Sequence, residues 1–538
     1  MSEETKAKQY TEEEGTGPET VQRDLCGETV LCEAAGDYEL PDYQPEIRKV
    51  LSVRATVLPS GKYVGGSKAE FTGSVVHTVL YTDPDGHIAS ASLPADYDFA
   101  VTVPTESGVT VMADSMAEGS ACRLSGPRKL SLRTRIRSVV HVLREEAIAA
   151  EIRGMGSAED RASLEYLTGE MAGMRLVYGE SGEFTLNDTV RLEGSGEAAH
   201  AIYAGGNLLV GECRIQENGC LVRGEAWVRC LLSDGEGTPY TVRTKIPFEQ
   251  TVMLEDVAAG AQAVGYGRIS AVDVSVIPGS EGSAGSVGFD VAAEVEVCAC
   301  YATQCKTVLD LFSTSYEMNC HYRTVTGTRM LGSTMGNYTV SASRPKNECE
   351  GEHATAVVDA DGRLEISGVT CEHGRAAVSG VVHTQVIFTS ASEAGDGGMA
   401  IVSAEVPVPF RVESDLRLEG GVRPRFECHG ELISVRGRIE AGAISADAEI
   451  ALTVRASESS EMRVLEDAEP DRSIALSEHA DRIYVCYPRE EDTLWSVAAR
   501  YHTSQAGIVA RNGLGEDAQA NPASATSLDG IHHLIIEK

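Results

Sequence analysis

A glycine-led segment of strict alternation occurs three times in this chain, and nothing else in it restricts the fold as much. The segments "FTGSVVHTVLY" (71–81), "VRGEAWVRCLL" (222–232) and "VSGVVHTQVIF" (378–388) align on Gly73, Gly224 and Gly380, which lie 151 and 156 residues apart. Counted from each glycine, positions +2, +4, +6 and +8 read Val75/His77/Val79/Tyr81, Ala226/Val228/Cys230/Leu232 and Val382/Thr384/Val386/Phe388. A period of two is the pattern of a strand that buries one face. Each segment is therefore read as one strand of a recurring domain.

A proline-aromatic element follows each glycine: Leu93-Pro94 with Phe99, Ile246-Pro247-Phe248 and Val408-Pro409-Phe410. The loops between, "TDPDGH", "SDGEGTP" and "TSASEAGDGG", are turn-rich and differ in length, as hairpin loops do. Each unit closes with a long alternating strand: Leu130, Leu132, Ile136, Val140 and Val142; then Phe289, Val291, Val295 and Val297; then Ile444, Ala446, Ala448, Ile450, Leu452 and Val454. The expected fold is mainly β, with three tandem β-sandwich-like domains at 25–155, 156–307 and 308–458. A period near 150 is too long for a stacked solenoid, so the three are expected to be autonomous. Residues 1–24 are expected to be a disordered acidic tail. Residues 459–480 fall in an acidic, proline-containing run that reads as a linker.

Charge narrows the function classes. Against 46 Lys and Arg stand 81 Asp and Glu, a formal net of -35 that repels phosphate backbones and anionic lipid. Nucleic acid and direct membrane insertion are excluded as expectations, and no apolar run approaches the ~20 residues of a spanning helix. The start "MSEETKAKQYTEEEGTGPET" has neither a basic nor an apolar signal region, which predicts a chain that stays in the cytoplasm. The 14 cysteines are scattered, with no Cys-x-x-Cys, and are expected to be reduced and mostly buried. Cys298 and Cys300, beside Glu294 and Glu296 on one predicted strand, form a conceivable ligand pair that nothing nearby completes.

The C-terminus, 481–538, has a different period. Ile483, Val485 and Tyr487 alternate as a short strand, Asp492 is placed to cap a helix, and Leu494, Val497, Ala498 and Tyr501 mark its buried stripe. Ser504 can cap a second helix that Asn512 and Gly513 end, and "HLIIEK" supplies a second strand to pair with the first. The order is β-α-α-β, around Leu494, Ile508, Leu534 and Ile536.

The stretch "YVCYPREEDTLWSVAARYHTSQAGIVARNGL" resembles the LysM family, whose members bind N-acetylglucosamine-containing glycans in a groove between the first strand-helix loop and the second helix-strand loop. On that resemblance the groove residues are Glu491, Asp492, Thr493, Leu494 and Trp495 on one lip, with Ile508, Asn512 and His532 opposite. Upstream, "LPDYQPEIRKVLSV", "GSVVHTVLY" and "RKLSLRTRIRSVVHV" resemble the SPOCS spore-coat assembly domain of endospore formers. Three such domains followed by a LysM module resemble the SipL-like clostridial coat morphogenetic proteins. The resemblance implies a non-enzymatic scaffold in the mother-cell cytoplasm that localises to the forespore surface. Its LysM module would dock a coat basement-layer protein, a SpoIVA-like ATPase. The alternative is a cell-wall factor that binds peptidoglycan or chitin-type glycans.

No nucleophile elbow, phosphate loop, His-Glu-x-x-His or dinucleotide fingerprint is present, so no catalytic, cofactor or metal residues are expected. His77 and His383 do not share a site, since one lies at glycine +4 and the other at +3, on opposite strand faces.

Overall fold

The computed structural model describes residues 20–25, 27–104, 108–192, 200–234, 237–258, 260–277, 285–349, 353–391, 399–476, 482–514, 528 and 531–537. It is mainly β, with 76% of the described residues in strands and 5% in helices. The expected tail at 1–24 falls outside the described residues up to 19, and Thr20–Asp24 is a strand paired with Leu143–Ala147. Cys26 and residues 477–481 also lie outside.

Each repeat is a sandwich of two sheets, one of four strands around the closing strand and the other of three strands, or four in repeat 1. In repeat 2 the second to fourth strands, His200–Gln216, Gly219–Ser233 and Pro239–Met253, form one sheet. The last strand, Ser286–Ser313, runs between Leu164–Glu180 with Phe184–Arg191 on one edge and Gln262–Ile277 on the other. Repeats 1 and 3 have the same order, with central strands Lys68–Thr82 and Arg375–Ala391 and closing strands Lys129–Ala147 and Ala443–Ala475. The closing strand of repeat 3 takes in residues 459–475, which were expected as a linker. It is covered on both faces there: Val464 packs with Val21, Ile148 and Met171, and Leu465 and Ala468 pack with Ala150, Met155 and Leu311, with Val464, Leu465 and Ala468 each at 0% exposure.

The glycine-led strands bury the faces that the alternation predicts: Val75, His77, Val79 and Tyr81 are each 0% exposed, as are Val382, Val386 and Phe388. The glycine itself has a steric cause. An aromatic ring from the next strand lies across it, so an added Cβ would come within 2.5 Å of Tyr97 at Gly73, 2.7 Å of Phe248 at Gly224 and 2.6 Å of Phe410 at Gly380. The ring over Gly73 is Tyr97, its direct cross-strand partner, and not Phe99, which pairs with Phe71. Repeat 1 therefore has Asp96 where the others have Pro247 and Pro409.

The three sandwiches are not autonomous beads. Leu80, Leu231 and Ile387, each seven residues past its glycine, meet in one buried cluster. It also takes in Leu51 and Val358, with Ile202 packed against it, and these three are bulge residues at the same place in the second strand of each repeat. Ser90, Thr241 and Ser403 lie opposite Leu80, Leu231 and Ile387. Each donates to the bulge carbonyl of the next repeat: Ser90 to Ile202 (2.5 Å), Thr241 to Val358 (2.7 Å) and Ser403 to Leu51 (2.8 Å). One head-to-tail contact made three times closes the repeats into a ring with pseudo-threefold symmetry. A second shared cluster, with Val21, Ile148, Met171, Cys305, Val325 and Val464, draws on all three repeats again.

The C-terminal module follows the expected β-α-α-β order: Ile483–Cys486, Leu494–Tyr501, Gln505–Asn512 and Leu534–Glu537, with the two strands antiparallel. The second helix begins at Ser504, whose side chain accepts from Gly507 N, and ends at Gly513, at φ +60°. The first is capped by Thr493 in a reciprocal box with Ser496, not by Asp492. The strand's facing also differs from a reading in which Ile483, Val485 and Tyr487 point inward. These three are 60%, 53% and 74% exposed, because Cys486 faces Leu534 and Ile536 in the core.

Candidate functional site

Two places bring polar side chains together in a way that needs explanation: the junction of the three repeats, and the face of the C-terminal module that meets them.

At the junction, the strands Val109–Leu124, Gln262–Ile277 and Arg425–Ile439, each paired with the closing strand of its repeat, carry a bulge at the same register, Glu118, Ser270 and Ile433, opposite Arg135/Ile136, Ala292/Ala293 and Glu449/Ile450. Four residues before each bulge stand Asp114, Tyr266 and His429. The pseudo-symmetry therefore brings one position of each repeat to a common point as three different residues. His429 Nδ1 is 3.2 Å from Asp114 Oδ2, and the His429 and Tyr266 rings are 4.2 Å apart. Arg268 lies 3.1 Å from Asp114, and Glu431 is 3.7 Å from His429 Nε2. Burial alone would lower the His429 pKa, but bonding to Asp114 and Glu431 outweighs it and pushes the imidazole up to about 10. Burial would raise Asp114, but His429 and Arg268 hold it at about 2. The imidazole is thus a fixed cation with both nitrogens engaged, which suits it to joining repeats and not to accepting a substrate proton.

A cavity of about 850 Å³ adjoins this cluster and is lined from all three repeats, among others by Arg54, Lys62, Glu296, Asp361 and Glu431. Arg54 crosses from repeat 1 to Asp361 of repeat 3 (3.1 Å) and to the Gly206 carbonyl of repeat 2 (2.8 Å). Arg229 of repeat 2 is 2.6 Å from the same Asp361. Burial would raise Asp361, but the two guanidiniums take it well below the carboxylate range. Glu296 shifts the other way: burial, then the Asp114 charge, raise it to about 7. Glu180 is its direct cross-strand neighbour, a like charge.

In the C-terminal module most of the expected groove residues serve the fold. Leu494 and Ile508 are 2% and 1% exposed in its core. Thr493 is the helix cap. Asp492, 7% exposed, accepts from Arg489 N (3.0 Å) and pairs with Arg500. Asn512 ties the second helix to the last strand through the Ile535 carbonyl and N–H, each at 2.7 Å. Glu491 and His532 are exposed at the two lips. Residues 515–527 and 529–530 lie outside the described residues.

Trp495 faces neither solvent nor a groove. It is 6% exposed, stacked at a tilt on Phe312 of repeat 2 (4.9 Å between centroids), and its Nε1 donates to Asp310 Oδ2 at 2.9 Å. Tyr322 of repeat 3 donates to the other Asp310 oxygen at 2.5 Å. His502, in the left-handed region at φ +50°, places its ring 3.0 Å from the Ser313 carbonyl and 3.1 Å from Glu317. The module is therefore seated on the turn between repeats 2 and 3. Sequence reasoning missed Asp310, Phe312 and His502 because no local pattern indicates a contact across about 185 residues.

Cys298 and Cys300 are not part of any group of three metal-type ligands among the described residues. Both are buried, with Arg455 donating to Cys298 (3.4 Å) and Cys300 against Met330 (3.4 Å). Among the described residues one group has three metal-type ligands within reach of each other, Asp83, Asp85 and His87. Asp83 there accepts His87 N at 2.8 Å, and Asp234 accepts Thr238 N at 2.7 Å in the matching turn of repeat 2, so the arrangement is a shared turn motif. The histidine register holds: His77 is buried on Thr134 (2.7 Å), whereas His383 lies on the other face, by Glu365 (3.1 Å) and Glu405 (3.5 Å). No helix among the described residues is long and apolar enough to cross a membrane.

No family model matches the chain, and no curated protein does. Among solved structures, the cryoEM structure of the V. cholerae type IV competence pilus secretin PilQ is 9% identical, covering 66% of this chain and 77% of that one. The TM-score is 0.11, a likeness that carries no argument about fold or function.

Proposed function

We propose that the chain is a non-enzymatic spore-coat assembly scaffold of the SPOCS–LysM kind, working in the mother-cell cytoplasm at the forespore surface. Its C-terminal module docks a coat basement-layer protein, a SpoIVA-like ATPase. The observation that carries this reading is the use of polar chemistry at the three-repeat junction. Asp114, His429, Arg54, Arg229 and Asp361 are consumed in joining one repeat to the next, an arrangement that favours a rigid platform over turnover.

The seating of Trp495 against Phe312 counts against sugar stacking at that residue and shifts partner contact to the lips that stay exposed. Glu490 and Glu491 at one lip favour a basic or amide-rich protein surface, from which a neutral amino sugar would gain little. The test is titration of the full chain against a purified coat basement ATPase and, separately, against chitin oligomers and peptidoglycan. Saturable protein binding, weakened by charge reversal at Glu490 and Glu491, is expected. Tight glycan binding without protein binding would replace this reading with the cell-wall one.

A further inference from the structure

The three sandwiches share one plan, and repeat 1 departs from it along one edge. In repeat 2 the strand Gln262–Ile277 lies against His200–Gln216, and in repeat 3 Arg425–Ile439 lies against Ala354–Glu372. A glycine three residues before each bulge permits the approach: an added Cβ would come within 2.7 Å of the Leu208 carbonyl at Gly267 and within 2.6 Å of the Leu364 side chain at Gly430. Repeat 1 has Ser115 at that register, bonded to Ser138 at 2.7 Å. The strand it would cross is broken into Lys49–Val57 and Gly61–Gly65, with Pro59, which cannot donate to a ladder, in the gap. In repeat 1 the two strands therefore meet over a shorter length, and the cavity of about 850 Å³ runs into the opening between them.

Both walls of that opening are strand edges. Residues 50–57 and 112–117 line the cavity consecutively, with no alternation, as happens where a strand presents its backbone edge and not one face. Among the described residues Val109–Leu124 forms a ladder with Lys129–Ala147 alone, so its other edge offers N–H and C=O groups to the cavity. Val57 and Phe71, 8% and 1% exposed, supply an apolar floor. Repeat 2 contributes Glu180, Glu294 and Glu296 to the same lining, and none of the three has an ion pair or hydrogen bond among the described residues. The neighbouring cations are already engaged: Arg54 with Asp361, Arg268 with Asp114, Arg363 with Glu365, and His429 with Asp114 and Glu431. Lys62 turns to Met112 Sδ at 3.4 Å. Glu296 lies between Glu180 and Tyr266 in its ladder. Burial and the charges of Asp114 and Glu180, against Arg268 and Lys62, hold its pKa at about 7.

We infer that this opening binds an extended segment of a partner protein in which apolar residues alternate with Lys or Arg. The segment adds a strand to the free edge of Val109–Leu124, lays its apolar side chains on Val57 and Phe71, and brings its cations to Glu180, Glu294 and Glu296. The volume is that of an ordinary ligand site. This surface is separate from the C-terminal module, and the inference does not depend on the scaffold reading.

The probe is a fluorescent heptapeptide of alternating valine and arginine, titrated by anisotropy into the full chain at physiological salt. Saturable binding is expected. Glu294→Gln with Glu296→Gln should weaken it about tenfold or more, the scale of a charge-assisted hydrogen bond. Affinity should fall from pH 8 to pH 6 as Glu296 takes up its proton, and should change less in Glu296→Gln. The same peptide N-methylated at alternate residues keeps its charge but cannot pair with a strand edge, so it should not bind. Hydrogen exchange of the complex should show new protection at 112–122. Equal binding of the methylated peptide would mean that a chain of net charge -35 attracts any cation, and it overturns the inference. So does protection centred elsewhere, the Glu490 and Glu491 lip included, or no binding at all. Circular dichroism checks that the variants fold; if the double variant does not, the pH profile of the unaltered chain and the methylated peptide decide.

Discussion

Replacing Trp495 by Phe isolates one bond at the seat of the C-terminal module. Phe keeps an aromatic face against Phe312 and fills most of the same buried space, but it cannot donate to Asp310. A hydrogen bond to a charged group contributes about 1.5–3 kcal/mol. Asp310 keeps its Tyr322 partner, so the carboxylate is not left bare, which points to the lower half of that range. Trp495→Ala also removes the ring pair and opens a cavity, for a loss of about 3–5 kcal/mol. The assay is hydrogen exchange by mass spectrometry on the full chain. Trp495→Phe should raise exchange in 310–317 and 494–512 together, with the sandwich cores unchanged, because the contact joins those segments. If the module's peptides loosen while 310–317 stays protected, Trp495 serves only the module's own core and the docking argument fails.

Three further outcomes are expected. Alanine at the three aligned glycines should not cost equally: an added Cβ would come within 2.1 and 2.3 Å of the Leu209 and Glu365 carbonyls at Gly224 and Gly380, whereas at Gly73 it meets the movable Tyr97 side chain, so thermal melts should place Gly73→Ala as the mildest, with about 1–3 kcal/mol lost at the others. The junction should respond to pH with a sign set by raised pKa values. Glu296, raised to about 7, holds a proton that the unfolded chain releases from about 4.5 upward, so stability falls as pH rises from 4.5 to 7, and Glu296→Gln should flatten that slope in denaturant titrations. The His429 contribution is full below its unfolded value of 6.5 and is lost as pH rises through about 10, so His429→Ala should cost more at pH 6 than at pH 11. Under reducing conditions, timed alkylation should label Cys371, the exposed one among the described cysteines, before the other described thiols and reach Cys230, pushed up to about 12 by burial, only on unfolding. Early labelling of Cys230 would contradict its place in the repeat 2 core.

The sequence by itself determined what depends on near neighbours along the chain. Period-two alternation located the buried faces around Gly73, Gly224 and Gly380, because a strand's side chains alternate whatever packs on them. The capping role of Ser504 and the left-handed stop at Gly513 were legible for the same reason: both satisfy backbone groups within one helical turn. The tertiary structure alone decided where those faces meet. Asp114, Tyr266 and His429 share no motif, and they converge because three similar folds close head to tail and bring one register position to a common axis. The same closure turned an expected row of autonomous domains into a ring with shared cores, and the acidic run 459–475 is a strand because Val464 on one face and Leu465 and Ala468 on the other are buried among residues of other repeats. Trp495 is the clearest case. A tryptophan beside a helix start has the same local signature whether its partner is a sugar, another protein or Phe312, and only the packing of the module onto the 2–3 turn distinguishes them.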